Sequence, residues 1–198
     1  MFTGIIEEVG RAHKLKEEED VHRYRIDSTV LFTNEIKIGD SISINGVCLT
    51  AYGIQDASFQ VDVSEETRRC TTFSGTSRHD RVNLERAVTP STRLGGHFVS
   101  GHIDGMGALE SREDSENESV MWISVPPGLS RYIAPKGSVC VDGVSLTVNQ
   151  VKADRYCVTV IPHTLDHTTL GQIQPGDKVN LEVDLVARYL ERLLQCKE

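Results

Sequence analysis

Two short runs carry the groups most capable of chemistry. Cys48-Leu49-Thr50 and Ser145-Leu146-Thr147 each follow a turn dipeptide, Asn45-Gly46 and Asp142-Gly143. Residues two apart on a strand share a face, so Cys48 lies beside Thr50 and Ser145 beside Thr147. Each pair offers two small hydrogen-bonding or nucleophilic groups to whatever meets that face. The leucine between them turns the other way, into a core. A third group, His102, sits in Ser100-Gly101-His102, where glycine permits close approach of a ligand and an imidazole can move protons near neutral pH. The other histidines say less. His97 follows Gly95-Gly96 and reads as positional, while His13, His22 and His79 read as polar-loop residues. His163 and His167 flank Thr164 without metal-ligand spacing to each other or to a cysteine, so no metal site is expected. The chain has no Gly-x-Gly-x-x-Gly after a strand, no Walker-type loop and no Gly-x-Ser-x-Gly elbow, which argues against nucleotide hydrolysis and triad hydrolysis.

The two runs are copies of one another. A constant shift of 97 residues carries Gly4 onto Gly101, Ser41 onto Ser138, Asn45-Gly46-Val47-Cys48-Leu49-Thr50 onto Asp142-Gly143-Val144-Ser145-Leu146-Thr147, and Val82-Asn83-Leu84-Glu85 onto Val179-Asn180-Leu181-Glu182. One shift over so long a span implies a tandem duplication. The copies occupy residues 1–87 and 97–184. Pro90 and the Gly95-Gly96 pair give residues 88–96 the composition of a linker. Within each copy, Tyr24-Arg25-Ile26, Ser41-Ile42-Ser43-Ile44, Phe59-Gln60-Val61-Asp62-Val63 and Val82-Asn83-Leu84-Glu85, with their second-copy counterparts, alternate or carry β-branched residues as half-buried strands do. Many short strands in about 90 residues predict an all-β fold of two small closed barrels. Short helical turns are expected at residues 31–36 and 65–69. Beyond the repeat, Leu185, Val186, Tyr189, Leu190, Leu193 and Leu194 recur at steps of three and four, an apolar stripe on a helix within residues 185–198. That stripe needs a cover, either the chain itself or further copies of the helix.

Composition narrows the partners. Of 198 residues, 38% are apolar and 25% charged, with a net charge of −8. A chain this acidic, without a basic stripe, is a poor match for nucleic acid. No apolar run approaches the ~18 residues of a membrane span, and the N-terminus lacks the pattern of a secretion signal. Five cysteines without a Cys-x-x-Cys pair disfavour a disulfide framework and structural zinc, so a reduced, cytoplasmic protein is expected. Where the copies differ, they differ in polar groups: Ile5 against His102, Cys48 against Ser145, Glu65 against Pro162, Glu66 against His163. A shared framework with divergent polar groups implies two pockets for one ligand, only one of them set up for chemistry. Such a pair suits a reaction between two copies of one molecule. Holding both in register can supply ~7–11 kcal/mol of a barrier in favourable cases, and no cofactor is then required.

Met1-Phe2-Thr3-Gly4-Ile5-Ile6, Asn45-Gly46-Val47-Cys48-Leu49-Thr50, Gly95-Gly96-His97 with Ser100-Gly101-His102, and Asp142-Gly143-Val144-Ser145-Leu146-Thr147 together resemble the riboflavin synthase family, in order, at its spacing and over essentially the whole chain. The resemblance implies two six-stranded Greek-key barrels and a C-terminal helix that gathers three chains into a homotrimer. It implies that two molecules of 6,7-dimethyl-8-ribityllumazine dismutate to riboflavin and 5-amino-6-(D-ribitylamino)uracil, without metal or redox cofactor, between the first barrel of one chain and the second barrel of its neighbour. Contacts carried over to the first barrel are Gly4, Ile5, Ile6, Ser41, Cys48, Leu49, Thr50, Asp62, Val63, Ser64, Glu65, Glu66 and Thr67, with Phe2 closing the site. Those of the second are Gly101, His102, Ile103, Lys136, Ser145, Leu146, Thr147, Ile161, Pro162, His163, Thr164, Leu165 and Asp166. Main-chain groups of residues 62–67 and 161–166 can hydrogen-bond a pyrimidinedione edge whatever their side chains. His102 with Ser145 and Thr147 would handle protons and stabilise the developing anion. Cys48 is a transient nucleophile or a polar contact, and Asp184, which matches a family acidic position, is functional or structural. The rival readings are a non-catalytic lumazine- or flavin-binding protein of the same fold and a barrel scaffold. The intact second-copy motifs favour the enzyme.

Overall fold

The Asn45-Gly46 and Asp142-Gly143 dipeptides make the turns their chemistry demands. All four residues have positive φ, 47°, 82°, 46° and 84° in chain order. Positive φ at both central positions marks the type I′ turn, whose twist matches that of the strands it joins. In the computed structural model, which describes residues 1–17, 21–29, 36–55, 57–74 and 81–196, these turns sit in two antiparallel barrels of the same design.

The first half contains β1 (Glu8–Glu17), β2 (Val21–Asp27), β3 (Ser41–Ile44), β4 (Val47–Thr50), β5 (Tyr52–Gln55), β6 (Ser58–Ser64), α1 (Glu65–Cys70) and β7 (Arg81–Arg86). The second contains β8 (Gly105–Asp114), β9 (Ser119–Ser124), β10 (Ser138–Val141), β11 (Val144–Lys152), β12 (Arg155–Val160), α2 (Pro162–His167) and β13 (Lys178–Val183), and α3 (Leu185–Gln195) follows. The second barrel closes in the order β10-β11-β12-β9-β8-β13. The first runs β4-β3-β7-β1-β2-β6-β5, seven strands where six were expected. The extra strand is an interruption at Ala51: β4 pairs with β3 and β5 pairs with β6, so one segment changes partners and is divided there. Its copy β11 makes the same change unbroken, through an irregularity between Val148 and Gln150.

Each barrel buries its own apolar set, Ile26, Phe59, Val61 and Leu84 in the first and Met121, Ile123, Tyr156 and Leu181 in the second. A third cluster, Phe2, Val99 and Cys140, fills the space between them. Two wholly buried asparagines cross that junction. The Asn83 amide donates to the Asp142 carbonyl (2.8 Å) and accepts from Thr169 N (2.8 Å). Asn180 donates to the Asn45 carbonyl (2.8 Å) and accepts from Thr72 N (2.8 Å). Each asparagine thus ties its own strand to the turn and helix of the other barrel, leaving little slack between the halves.

The helical turn expected at residues 65–69 is α1. Its cap is Ser64, whose Oγ accepts from Thr67 N at 3.1 Å. The one expected at 31–36, like His79, lies largely outside the described residues. His13 and His22 are not in loops. β1 and β2 pair along most of their length and carry both histidines within the ladder. The alternation seen at Tyr24 and Ile26 extends back to His22, which is buried with Nε2 2.7 Å from Glu65 Oε2. Residues 88–99 are pinned to the N-terminus: Val88 N donates to Met1 O, and Phe2 and Val99 exchange main-chain hydrogen bonds. At the C-terminus, Asp184 caps α3 by accepting from Val186 N. Among the described residues no helix is long and apolar enough to cross a membrane.

Candidate functional site

In each barrel the wall opens along one seam. β4 holds Cys48 and Thr50 against β3, but pairing with β6 begins only at Tyr52 with Gln60. No ladder joins residues 48–50 to residues 62–64. In the second barrel the β11–β12 ladder stops at Val148 with Val158, which leaves Ser145, Leu146 and Thr147 opposite residues 160–161 without pairing. Leu49 and Leu146 point into the cores, whereas Thr50 and Thr147 are exposed at the seams. Each seam therefore combines a hydroxyl with main-chain groups that no neighbouring strand takes up. The charged side chains beyond the first seam are committed elsewhere. Asp62 is held below the usual carboxylate range by its hydrogen bond to Arg23. Glu65 is held down to about 2 by Arg68 and then His22. The side chains of Asp62 and Glu65 are thus taken up by neighbours within the same barrel, and Val63 is wholly buried. Across the second seam, Ile161 and Pro162 are exposed, and His163 and His167 stack at 4.1 Å on α2.

A loop from the other half of the chain crosses each seam. Cys48 N donates to Gly101 O (2.9 Å), and Ser145 N donates to Gly4 O (2.8 Å). A Cβ on Gly4 would lie 2.6 Å from that of Ser145, and one on Gly101 2.5 Å from that of Cys48, so only glycine fits at either crossing. Two buried carboxylates hold the loops in place. Glu85 accepts from Thr3 N, Thr3 Oγ1 and Gly4 N, and Glu182 accepts from Ser100 N, Ser100 Oγ and Gly101 N, at 2.6–3.0 Å. Burial pushes the Glu85 carboxyl up, against the donors that hold it down.

These crossings regroup the expected contacts. Gly4 and Ile6 pack on the second barrel, not the first, and Gly101 and Ile103 pack on the first. Ile5 faces back, lining with Ser41, Thr3, Arg86, Thr89 and Arg93 a groove of about 720 Å³ beside β3 and β7. His102 follows Gly101 onto the Cys48 side, so within one chain it is divided from Ser145 and Thr147. Its ring is exposed and makes no hydrogen bond among the described residues. Phe2 does not line an open surface; it is 0% exposed against Val99 and Cys140. Lys136 is exposed in a left-handed turn (φ 70°), its N donating to Val148 O. Cross-strand partners swap chemistry between the copies, with Ser43 opposite Cys48 and Cys140 opposite Ser145. Burial pushes the Cys140 thiol well up, so it is no nucleophile.

The lumazine binding domain family matches the chain twice, at residues 3–87 and 100–184. The riboflavin synthase of Photobacterium phosphoreum is 43% identical over 194 residues, 98% of this chain and 89% of that protein. That of Mycobacterium tuberculosis strain ATCC 25618 / H37Rv is 43% identical over 98% of both chains. The chain belongs to the riboflavin synthase family. Among solved structures, LumP complexed with riboflavin superposes with a TM-score of 0.85 over 92% of this chain and 99% of its own, at 24% identity, a likeness of fold.

Against that family frame one residue stands out that sequence reasoning set aside. His97 lies outside both matched repeats, in the joint. It is 9% exposed, and its Nδ1 is 2.7 Å from Ser145 Oγ. Its main-chain N donates to Thr3 O (3.1 Å). The signal that could have found it is the Gly95-Gly96 pair: a Cβ on Gly96 would come within 2.1 Å of Thr3 O and 2.8 Å of Ser145 Oγ, so the glycine is what lets the next residue meet Ser145.

Proposed function

We propose that the protein catalyses riboflavin formation from two molecules of 6,7-dimethyl-8-ribityllumazine, releasing 5-amino-6-(D-ribitylamino)uracil. The observation that carries this reading is the pair of like seams, each with main-chain groups outside the strand ladders and a threonine hydroxyl, differing in the side chains beside them. A pyrimidinedione edge is a planar array of alternating donors and acceptors, which strand main chain matches without regard to side chains. Two such seams hold two identical heterocycles, and the asymmetry of Cys48 against Ser145 gives them different fates.

The reaction begins when a proton leaves the methyl group on ring carbon 7 of one lumazine, its electron pair spreading into the ring. The other lumazine takes a nucleophile at the same ring carbon. Four carbons then pass between the rings, and the two products together hold every atom of the two substrates, so no outside oxidant enters. Proximity supplies much of the rate, on the order of 7–11 kcal/mol where two reactants are held in register. Ser145 and Thr147 are the hydroxyls placed to handle the proton, and Cys48 and Thr50 serve the other ring.

The two rings meet between chains. Within one chain the space between the barrels is occupied by Phe2, Val99 and Cys140, each no more than 1% exposed, so stacked rings do not fit there. The apolar face of α3 favours assembly of three copies. The unpaired state of all five cysteines suits a cytoplasmic enzyme.

Purified protein incubated with 6,7-dimethyl-8-ribityllumazine alone should develop riboflavin absorbance. Binding without riboflavin would replace this reading with a lumazine-binding protein, and neither binding nor turnover would leave a scaffold.

A further inference from the structure

We infer that Tyr52, Asp62 and Arg23 form a clamp that sets the width of the first seam, and that Tyr52 is thereby a positioning residue for the lumazine held there. This rests on the proposed reaction, whose first ring lies between residues 48–50 and 62–64. The seam opens just beyond the point where Tyr52 pairs with Gln60. On the outer face of the barrel the Tyr52 hydroxyl reaches past that pair and donates to Asp62 Oδ1 at 2.5 Å. Arg23, the cross-strand partner of Asp62 on β2, holds the same carboxylate from the other side, with Nε 2.9 Å from Oδ1 and Nη2 3.2 Å from Oδ2. Its guanidinium also lies over the Tyr52 ring, 5.4 Å from the centroid. Strands β2, β6 and β5 are thus joined side chain to side chain at the closed end of the opening.

Main-chain pairing at that end is thin. β5 pairs with β6 at Tyr52 with Gln60 and at Gln55 with Ser58, with a shift of register between them. In the second barrel β11 runs on unbroken and pairs with β12 at Val148, Gln150, Val151 and Lys152. The shift of 97 residues carries Arg23 onto Val120, Tyr52 onto Asn149 and Asp62 onto Thr159. Val120 again faces Thr159 across its ladder, so the positions correspond in the fold while the guanidinium, the carboxylate and the phenol have no copy. The clamp therefore stands where the ladder is weak and is missing where the ladder is long. A half-exposed ion pair adds little to the stability of a whole domain, so its effect is on the strands beside it. The two-pronged grip of Arg23 fixes the direction of Asp62, and Asp62 in turn draws β5 toward β6 through the Tyr52 hydroxyl. Strands kept at one spacing hold their main-chain groups in place before the ring arrives, which leaves less ordering to be done on binding.

The test compares wild type with Tyr52→Phe, which keeps the ring and removes the hydroxyl, with Arg23→Gln, and with the double variant. Hydrogen exchange at rising concentrations of 6,7-dimethyl-8-ribityllumazine reads each seam separately. In Tyr52→Phe the concentration that half-protects residues 60–67 should rise roughly three- to tenfold, the scale of one lost hydrogen bond, while that for residues 157–166 stays as in wild type. KM should rise by a similar factor with kcat within about twofold, because the lost binding is shared by ground and transition states. The urea midpoint should hold, and the double variant should bind no more weakly than the weaker single one, as expected of groups that act as a unit. An unchanged first seam, equal weakening of both seams, a urea midpoint that falls in step with binding, or losses that add in the double variant overturns the clamp. Wild type that lumazine protects at neither seam overturns the reading of the site, and the clamp's role with it. That outcome is distinct from wild type protected at both seams and matched by Tyr52→Phe, which overturns the clamp alone.

Discussion

Lys136 occupies a position that its copy gives to glycine. Gly39 has φ 95° and Lys136 φ 70°, both in left-handed turns that feed the strand before the seam. A side chain there costs about 1–2 kcal/mol, a cost that glycine avoids. Keeping a lysine despite it points to a use for the ammonium, and it lies one turn before Ser138, the cross-strand partner of Thr147. Lys136→Gly should raise stability by roughly 1 kcal/mol, seen as a higher urea midpoint at unchanged slope, while weakening lumazine binding measured by fluorescence titration. A variant that is less stable and binds normally would make the lysine structural. The same comparison of copies made Cys48 and Ser145 legible as a divergent pair. It was silent on His97, which has no copy to be compared with.

At the scale of elements, turn chemistry and alternation were enough to read the β-hairpins at Asn45-Gly46 and Asp142-Gly143. β1 and β8 escaped because their sequences, EVGRAHKLKE and GMGALESRED, give buried positions to Gly10 and Gly107 and fill most of the rest with charged or polar residues, so they lack an apolar alternation. The crossing of the two entry loops was illegible for a different reason. A repeat shift says which residues are equivalent, not which touch, and the contacts implied by the family resemblance grouped Gly4 with Cys48 where the fold joins Gly4 to Ser145. The crossing depends on Glu85 and Glu182, which the sequence showed only as strand ends. Glu182→Gln turns one of three accepted hydrogen bonds into a clash of donors and should cost about 1–3 kcal/mol. Hydrogen exchange at the Ser100 and Gly101 amides should quicken, with Thr3 and Gly4, held by Glu85, unchanged. Loosening of both loops together would mean that they are held as one unit.

On the whole-molecule scale the decisive feature is the orientation of α3. Its polar side is spent on its own chain, where Arg188 pairs with Asp104, and Glu191 accepts from the Tyr132 hydroxyl and pairs with Arg131 at 2.7 Å. Its apolar side, Val186, Tyr189, Leu190, Leu193 and Leu194, is left 56–66% exposed. Packing back on the chain, the simpler fate of such a stripe, is therefore not what the fold adopts. Covering each leucine is worth about 1.5–3 kcal/mol, enough over several side chains in several copies to drive assembly. Asp104 also accepts from Val183 N and donates its own N to Leu181 O, just after the His102 loop, so the helix is linked through Asp104 to that loop as well as to β13. Leu190→Glu combined with Leu193→Glu leaves both barrel cores and both ion pairs untouched. Sedimentation should then report a folded monomer, and riboflavin formation should fall to background while each seam still binds lumazine. Truncation after Val186 should act the same way. A monomer that keeps full activity would place both rings within one chain, where Phe2 and Val99 leave them no room.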